Sequence, residues 1–476
     1  MNNKTMQYTG INIGPIIPTF SMVRKPRELW TASYMFSYLM KCIIDQLCEE
    51  NIISPAKLPE NADKTIGLYP DRVFVKGEVT EEQLNKAFDA FVEGVGLKNI
   101  KDDVRPYFNI MVVTKDFNEN ETEHLMALNG LLDRMELYNH DVDEAAKEAV
   151  FDYLRNPGNV LAKTVGKEFK NHSIETIASY DIFEGDKVSS DKDKSDKYIC
   201  IVQADGDKMG EVVSSLQEKD VALSEDSLSA KLLAFGQECC KTIRDYGGLP
   251  IYAGGDDLLF LAPVLTSKGS IFDLIKKLDE HYEKVQAFVA GKKKEIQTTM
   301  SYGISMTYYK YPLYEALEKA RDALFDTAKN KIEGKNAVVW TLQKHSGSSF
   351  KASLSKNLSD LYNALLQVIN ATESEQLVSA VSHKIRQNEV LLSLWLDDKQ
   401  NMQQRISNFF DKIIDVEGKS DAAVKYMESV QTLLLEVYNN ADSLSGEEDK
   451  LKKMKELTNI VYGMLRTAKF VKGKEE

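Results

Sequence analysis

Cysteine is scarce, with five in 476 residues (Cys42, Cys48, Cys200, Cys239 and Cys240) and no Cys-x-x-Cys pair among them. This excludes a four-cysteine zinc ribbon and a disulfide scaffold, and it is the usage of a reducing compartment. There are only 3 tryptophans and 11 prolines, and no apolar run reaches the roughly 18 residues of a membrane span. No signal-peptide apolar stretch follows Met1-Asn2-Asn3-Lys4-Thr5. Walker A, His-Glu-x-x-His and Gly-x-Ser-x-Gly motifs are also missing. Positive charge is in deficit, since 60 basic against 73 acidic side chains give a net −13, which argues against polyanion binding over the whole surface. The expectation is a cytoplasmic chain with no membrane partner.

A 43% apolar fraction supplies cores for several domains. Strand patterns at Tyr8 to Ile13, within residues 66 to 75 and at Phe108 to Val113 surround the long apolar run Leu29 to Leu47. They predict an α+β domain over residues 1–117. Helical spacing such as Leu125, Leu128, Leu131, Leu132 and Met135 predicts a helical domain over 118–190, ending in the charged stretch 184 to 197. Strand, helix and hairpin signals return over 191–345, and residues 346–476 read as an all-helical bundle. The stretch Ile66 to Val75 matches Ile251 to Leu261 in shape, so the two α+β units read as duplicates. In that overlay Pro15 falls at Asp205 and Arg72 at Asp257, and the first copy keeps the fold but loses the carboxylates.

The chemistry concentrates in Asp205-Gly206-Asp207-Lys208-Met209-Gly210, after an apolar strand, and in Gly254-Gly255-Asp256-Asp257, in a hairpin turn. Either alone has the composition of a surface turn. Together they end apolar strands 51 positions apart (256 − 205), with helical signal between, the order of a palm-type nucleotidyl transferase. Asp205, Asp256 and Asp257 would converge on one sheet edge. Like charges gathered there need a cation, and hard oxygen ligands suit Mg2+ or Mn2+. The nucleotide-binding set is Gly206, Asp207, Lys208, Met209, Gly210, Gly254, Gly255, Lys329 and Lys335, with the lysines as phosphate counter-charges. No side chain is an obvious general base.

With these motifs the sequence resembles the large, polymerase-like subunit of type III CRISPR effector complexes, closest to the Cmr (III-B) branch. Ile13 to Leu39, with Arg27-Glu28-Leu29-Trp30-Thr31-Ala32-Ser33-Tyr34, is similar to that family's opening helix. Asp205 to Gly210, Tyr252 to Asp257 and Ser301-Tyr302-Gly303-Ile304-Ser305 resemble its second palm, and Lys319 to Lys329 resembles the helix of the wider GGDEF cyclase group. The resemblance implies two ferredoxin-like palm domains, nucleotidyl cyclase-like, with a helical insert and a C-terminal helical bundle. It implies that ATP is converted to a second messenger when target RNA pairs with CRISPR RNA, and that other Cmr-type subunits are partners. The product would be cyclic oligoadenylate, or an AMP conjugate in which S-adenosylmethionine is the second substrate.

Two departures shape these expectations. The first palm begins near residue 8, which leaves no room for an N-terminal HD nuclease, and His140-Asp141 reads as a surface pair. The family's zinc-binding cysteines are missing, and Cys42 and Cys48 read as core residues. The alternatives are an inactive scaffold binding guide RNA and partner subunits, and a free-standing GGDEF-like cyclase.

Overall fold

The structure, a computed structural model, describes residues 5–58, 63, 65–118, 124–137, 142–163, 173–179, 197–216, 221, 227–371, 375–397, 400–411 and 420–473. His140-Asp141 and residues 184–196 lie outside them.

The first unit runs β1 (Thr5–Gly14), α1 (Ile16–Met22), α2 (Pro26–Ile44), β2 (Ile52–Ser54), β3 (Arg72–Lys76), α3 (Glu81–Val95) and β4 (Asn109–Asn118). Its sheet order is β2-β3-β1-β4, with β1 antiparallel to both neighbours. Helix α2 starts where Pro26 pre-sets the backbone, and it buries Trp30, Met35, Phe36, Leu39 and Ile43. It ends before Cys48, which is exposed, so of these two cysteines only Cys42 is a core residue.

Helices α4 (His124–Glu136) and α5 (Glu144–Arg155) lead to the second unit. That unit is β5 (Tyr198–Gly206), α6 (Met209–Ser215), α7 (Leu228–Tyr246), β6 (Leu249–Gly254), β7 (Asp257–Pro263), α8 (Ile271–Lys292), β8 (Met300–Tyr308), α9 (Leu313–Asp322) and β9 (Ala337–Gln343). A further strand, β10 (Ser349–Ser355), makes the sheet order β10-β9-β8-β5-β7-β6. The β6-β7-β5-β8 portion repeats β2-β3-β1-β4, so the ferredoxin-like order occurs twice. Strand β10 is a difference from the sequence reading, in which everything after residue 346 was helical. Pairing along β9 from Ala337–Ser355 to Gln343–Ser349 draws the segment into the sheet.

Strand β5 is apolar on both faces because both are covered. Cys200, Val202 and Ala204 share a core with Phe235 of α7 and Leu278 of α8, while Ile199 and Ile201 join Phe36 and Met40 of the first palm. The two palms are therefore packed together. Residues 66 to 70 form no strand of their own sheet; Gly67 bridges to Tyr252 of β6, and the Ala253 N–H donates to the Gly67 carbonyl at 3.0 Å. Ser33 Oγ donates to the Ile251 carbonyl at 3.0 Å, and Arg244 holds Asp63 and Thr65.

Strand register also corrects the overlay of the two units. Arg72 lies across from Asn12, not Pro15, and its guanidinium turns to Asp133 at 2.7 Å and Glu136 at 3.2 Å on α4. The residue that the overlay sets at Asp257 thus secures the helical insert.

The C-terminal helices include α10 (Ser359–Ala371), α11 (Glu375–Gln387), α12 (Asp421–Asn439) and α13 (Lys450–Val471). They share the core of the second sheet, where Trp340 Nε1 of β9 donates to Thr467 Oγ1 at 2.9 Å. Buried Lys356 pairs with Asp279 at 2.6 Å, and Tyr302 Oη donates to the same carboxylate at 2.9 Å. Burial lowers the lysine and raises the aspartate, each against its charged form.

Gly303, in the middle of β8, sets the depth of α9. A Cβ there would lie 2.1 Å from the Ala320 carbonyl oxygen and 2.5 Å from the Leu324 nitrogen, both backbone atoms that cannot rotate away. At this contact α9 widens into a π-helical turn over Ala323–Lys329. Gly303→Ala is expected to destabilise the chain by ~1–3 kcal/mol, read as a lowered thermal midpoint. An unchanged midpoint would show that the helix does not rest on this strand.

Candidate functional site

Asp205 is the penultimate residue of β5 and stands opposite Ser301, and Asp257 opens β7. Gly255 takes a left-handed backbone (φ +65°), which makes the tight turn that carries Asp256 beside them. A Cβ on Gly206 would lie 2.5 Å from Asp256 Oδ2, so glycine is what lets this carboxylate fold over the end of β5. Carboxylate oxygens of Asp205, Asp256 and Asp257 lie within 4.8 Å of one another, bringing together the three acids singled out from sequence.

Such crowding is visible in their proton affinity. Burial first, and then the neighbouring Asp205, push the Asp256 carboxyl up to about 7. Burial, Asp205 and Asp256 push Asp257 well above the carboxylate range. Lys329, at the end of the π-helical turn, supplies the compensating charge. Its ammonium pairs with Asp205, reaches Asp207 at 3.1 Å and donates to the Gly206 carbonyl at 2.5 Å. Burial opposes the charge on Lys329, but Asp205 and Asp207 outweigh it and raise its affinity for the proton. Three hard oxygen donors beside a built-in cation fit a divalent ion such as Mg2+ or Mn2+, held by Asp205, Asp256 and Asp257.

Asp207 has a different place from the one expected of a nucleotide ligand. It is 1% exposed. Its carboxylate accepts from Thr299 Oγ1 at 2.6 Å, Ser301 Oγ at 2.9 Å and the Asn336 N–H at 2.9 Å. Its own N–H donates to the Thr299 carbonyl, and its carbonyl accepts from Thr298 Oγ1. Asp207 is thereby held as a structural anchor of the rim.

The remaining candidates fall around this rim. Lys208, left-handed at φ 60°, and exposed Gly210 start and follow the turn into α6, with Met209 half-buried between them. A Cβ on Gly210 would meet nothing, so nothing local requires glycine there. Gly254 makes room for the Tyr252 ring, whose hydroxyl would lie 2.3 Å from a Cβ. Lys335 (φ 55°) precedes the Asn336 amide that holds Asp207.

A cavity of about 380 Å3 opens beside the triad, between the palms. The first palm lines it with Ile13, Ile16, Phe20, Tyr69 and Asp71, and the second with Gln203, Tyr252, Asp257, Tyr314, Glu318 and Arg321. Sequence reasoning missed Asp71, Gln203, Glu318 and Arg321 as site residues. Arg321 lies inside the GGDEF-like stretch, and Asp71 is the neighbour of Arg72, so faint signals existed. Tyr314 faces this cavity, whereas Tyr308 packs against Tyr198, Tyr309 and His345.

Two outcomes follow. Protons compete with a divalent ion for Asp256 and Asp257, so Mn2+ affinity should rise with pH through about 7, as read by Mn2+ titration. A flat profile from pH 5.5 to 8 would show that Asp256 is not a ligand. Lys329→Met leaves Asp205 and buried Asp207 uncompensated and should lower the thermal midpoint, and millimolar Mg2+ should restore more of that loss than it adds to the unaltered chain.

Comparison with known proteins agrees with this geometry. Residues 198–339 match the family described as Cas10/Cmr2, second palm domain, and residues 8–88 match CRISPR-associated protein Cmr2, N-terminal. The CRISPR system Cmr subunit Cmr2 of Pyrococcus furiosus is 32% identical over 176 residues, a match that covers 32% of this chain and 19% of that protein. In structure the chain is similar to the apo state of a type III-B Cmr-beta complex, with a TM-score of 0.58 at 11% identity over 92% of this chain and 82% of the other. It is also similar to a Csm1–Csm4 cassette in complex with AMPPNP, with a TM-score of 0.53 at 14% identity over 92% and 70%. A Cmr-beta complex bound to cognate target RNA gives a TM-score of 0.55 at 11% identity over 89% and 80%. These structural likenesses concern the fold, whereas the two family matches and the curated relative are similarities of sequence, to the Cas10/Cmr2 second palm domain over residues 198–339 and to the Cmr2 N-terminal region over residues 8–88.

Proposed function

We propose that this chain is the nucleotidyl-transferring subunit of a type III CRISPR effector of the Cmr kind, and that it joins an adenylyl group from ATP to an acceptor when target RNA pairs with CRISPR RNA. The observation that carries the reading is the acid triad Asp205, Asp256 and Asp257, which borders through Asp257 on a cavity shared by two palms. Relatives of the same fold with AMPPNP and with cognate target RNA support it.

In this reading an acceptor oxygen forms a bond to the α-phosphorus of ATP and diphosphate leaves. Bound Mg2+ or Mn2+ supplies neutralisation of phosphate charge. The chain's own residues bind and orient. Asp205, Asp256 and Asp257 hold the ions, and Lys329 and Lys335 are counter-charges for a triphosphate laid along Gly206, Lys208, Met209 and Gly210. Arg321 stands at the cavity as a further cation, and the apolar wall of Ile13, Ile16 and Phe20 gives a base or other planar group a dry surface. The product is cyclic oligoadenylate, or an AMP conjugate with S-adenosylmethionine, since the donor motifs are common to both.

The test is incubation of the assembled complex with guide RNA, target RNA, labelled ATP and Mg2+, with and without S-adenosylmethionine, followed by mass spectrometry. The double substitution Asp256→Ala and Asp257→Ala should cut product at least ~1000-fold, as a loss of several kcal/mol at the transition state implies, while RNA binding persists. No product from the unaltered complex would leave a scaffold. Synthesis from GTP by the isolated chain without RNA would identify a free-standing cyclase.

A further inference from the structure

Between the π-helical turn that ends at Lys329 and the start of β9, the backbone takes an unusual course. Gly334, Lys335 and Asn336 are all left-handed, at φ 76°, 55° and 49°. Side chains disfavour that conformation, asparagine least, and a run of such residues persists only where its surroundings over-determine it. Here the ties are explicit. The Asn336 N–H donates to the Asp207 carboxylate at 2.9 Å, and the Lys335 N–H to the Ile332 carbonyl at 3.1 Å. From the other side the Lys356 N–H donates to the Asn336 carbonyl at 2.6 Å, and Asn336 Nδ2 donates to Asn357 Oδ1 at 2.9 Å. The turn is thus held between the motif that carries Asp205 and the two residues that follow β10.

Lys356 is itself fixed. Its ammonium meets both oxygens of Asp279 at 2.6 Å and lies 4.5 Å from the centroid of the Tyr302 ring, whose hydroxyl donates to the same carboxylate at 2.9 Å. A buried ion pair is a weak source of stability, because desolvation of two charges cancels much of their attraction. What this one supplies is a fixed position. Asp279 comes from α8 and Tyr302 from β8 beside Ser301, so Lys356 is referred to the same strand that holds Asp207. Neither Lys356 nor Asp279 is among the residues that hold metal or phosphate in the proposed reaction. Lys335, by contrast, is half-buried, and its ammonium has no hydrogen bond or ion pair among the described residues.

We infer that Lys356 is a positioning residue for nucleotide binding: clamped by Asp279 and Tyr302, it holds the left-handed turn that presents Lys335 to the ATP triphosphate. The inference rests on the phosphate role given to Lys335 in the proposed function. A lysine loses side-chain and backbone freedom when it binds a phosphate. A turn fixed beforehand removes the backbone part of that loss, so the same contact binds more tightly in the clamped chain. Because α10 begins at Ser359, close behind Lys356, the C-terminal bundle and the nucleotide turn share this one clamp.

The experiment titrates ATP, and separately AMP, with Mg2+ into the full chain by calorimetry. Lys335→Met should weaken ATP ~10-fold, the effect of one charge-assisted contact. Lys356→Met with Asp279→Asn removes both buried charges and leaves the Tyr302 hydroxyl an acceptor. That pair should weaken ATP by ~3-fold or more and leave AMP unchanged, whereas a general loosening of the site would weaken both. Adding Lys335→Met to the pair should cost no more than ~2-fold further, since the ammonium has already lost its place. Equal losses for ATP and AMP, full additivity of the changes, or ATP affinity untouched by the pair would each overturn the proposal. If the pair unfolds the chain, exposed Asn357→Ala loosens the turn at its other tie. A ~2-fold loss for ATP alone is then expected, and no loss overturns the clamp. Lys335→Met without effect on ATP overturns it as well and leaves the acid triad's role intact. Product formation by the assembled complex is scored separately, so a complex that binds ATP in this pattern yet forms no product overturns the reaction and supports the clamp.

Discussion

Three carboxylates with oxygens inside 4.8 Å repel one another, by about 4 kcal/mol for each charged pair 4 Å apart at the screening usual near protein surfaces. A chain that stays folded with this arrangement must offset the repulsion. Part of the answer is proton uptake, since burial and mutual charge raise Asp256 and Asp257. The rest is Lys329, whose ammonium lies against Asp205 and Asp207. The site is therefore built for a cation and carries one on a tether. The π-helical turn brings Lys329 to that place, and Gly303 lets the helix lie close enough for it to reach.

Duplication explains the cavity beside this charge cluster. Two ferredoxin-like sheets of the same order share one apolar core, with Ile199 and Ile201 of the second palm packed among Phe36 and Met40 of the first. Divergence then assigned the copies different work. The second keeps acids at the ends of β5 and β7. In the first, Arg72 has turned outward to Asp133 and Glu136, so the equivalent strand start is used to hold α4. The first palm still supplies a wall, including Asp71, and contributes to the site by shape and charge.

Much of this was legible because it is local. The apolar run of β5, the glycine turn before Asp257 and the helix Leu228–Tyr246 obey periodicity and turn chemistry, and the convergence of the three acids followed from strand order. What escaped depends on distant partners. Residues 66 to 70 look like a strand, and one of them does pair, but with β6 of the other palm. The segment Ser349–Ser355 has little apolar content and becomes a strand only because β9 offers an open edge. Asp71, Gln203 and Arg321 enter one cavity from separate elements, and no spacing rule links them.

The separation of Asp205 from Asp207 shows how two acids of one short motif can take different places in the fold. Side chains two apart on a strand share a face, so the spacing alone would put both acids at the metal. Alternation ends here, because β5 stops at Gly206 and Lys208 takes a left-handed backbone. Asp207 therefore swings inward, where Thr299 and Ser301, more than ninety positions away, and the Asn336 amide, 129 positions away, close around it. These partners come from β8, the turn before it and the loop before β9. The inward acid ties those segments to the base of Lys329's reach, and the outward one stays at the rim with Asp256 and Asp257. With its carboxylate engaged by Thr299, Ser301, Asn336 and Lys329, Asp207 is committed to the fold, and the other three of the motifs' four acids are left grouped at the rim.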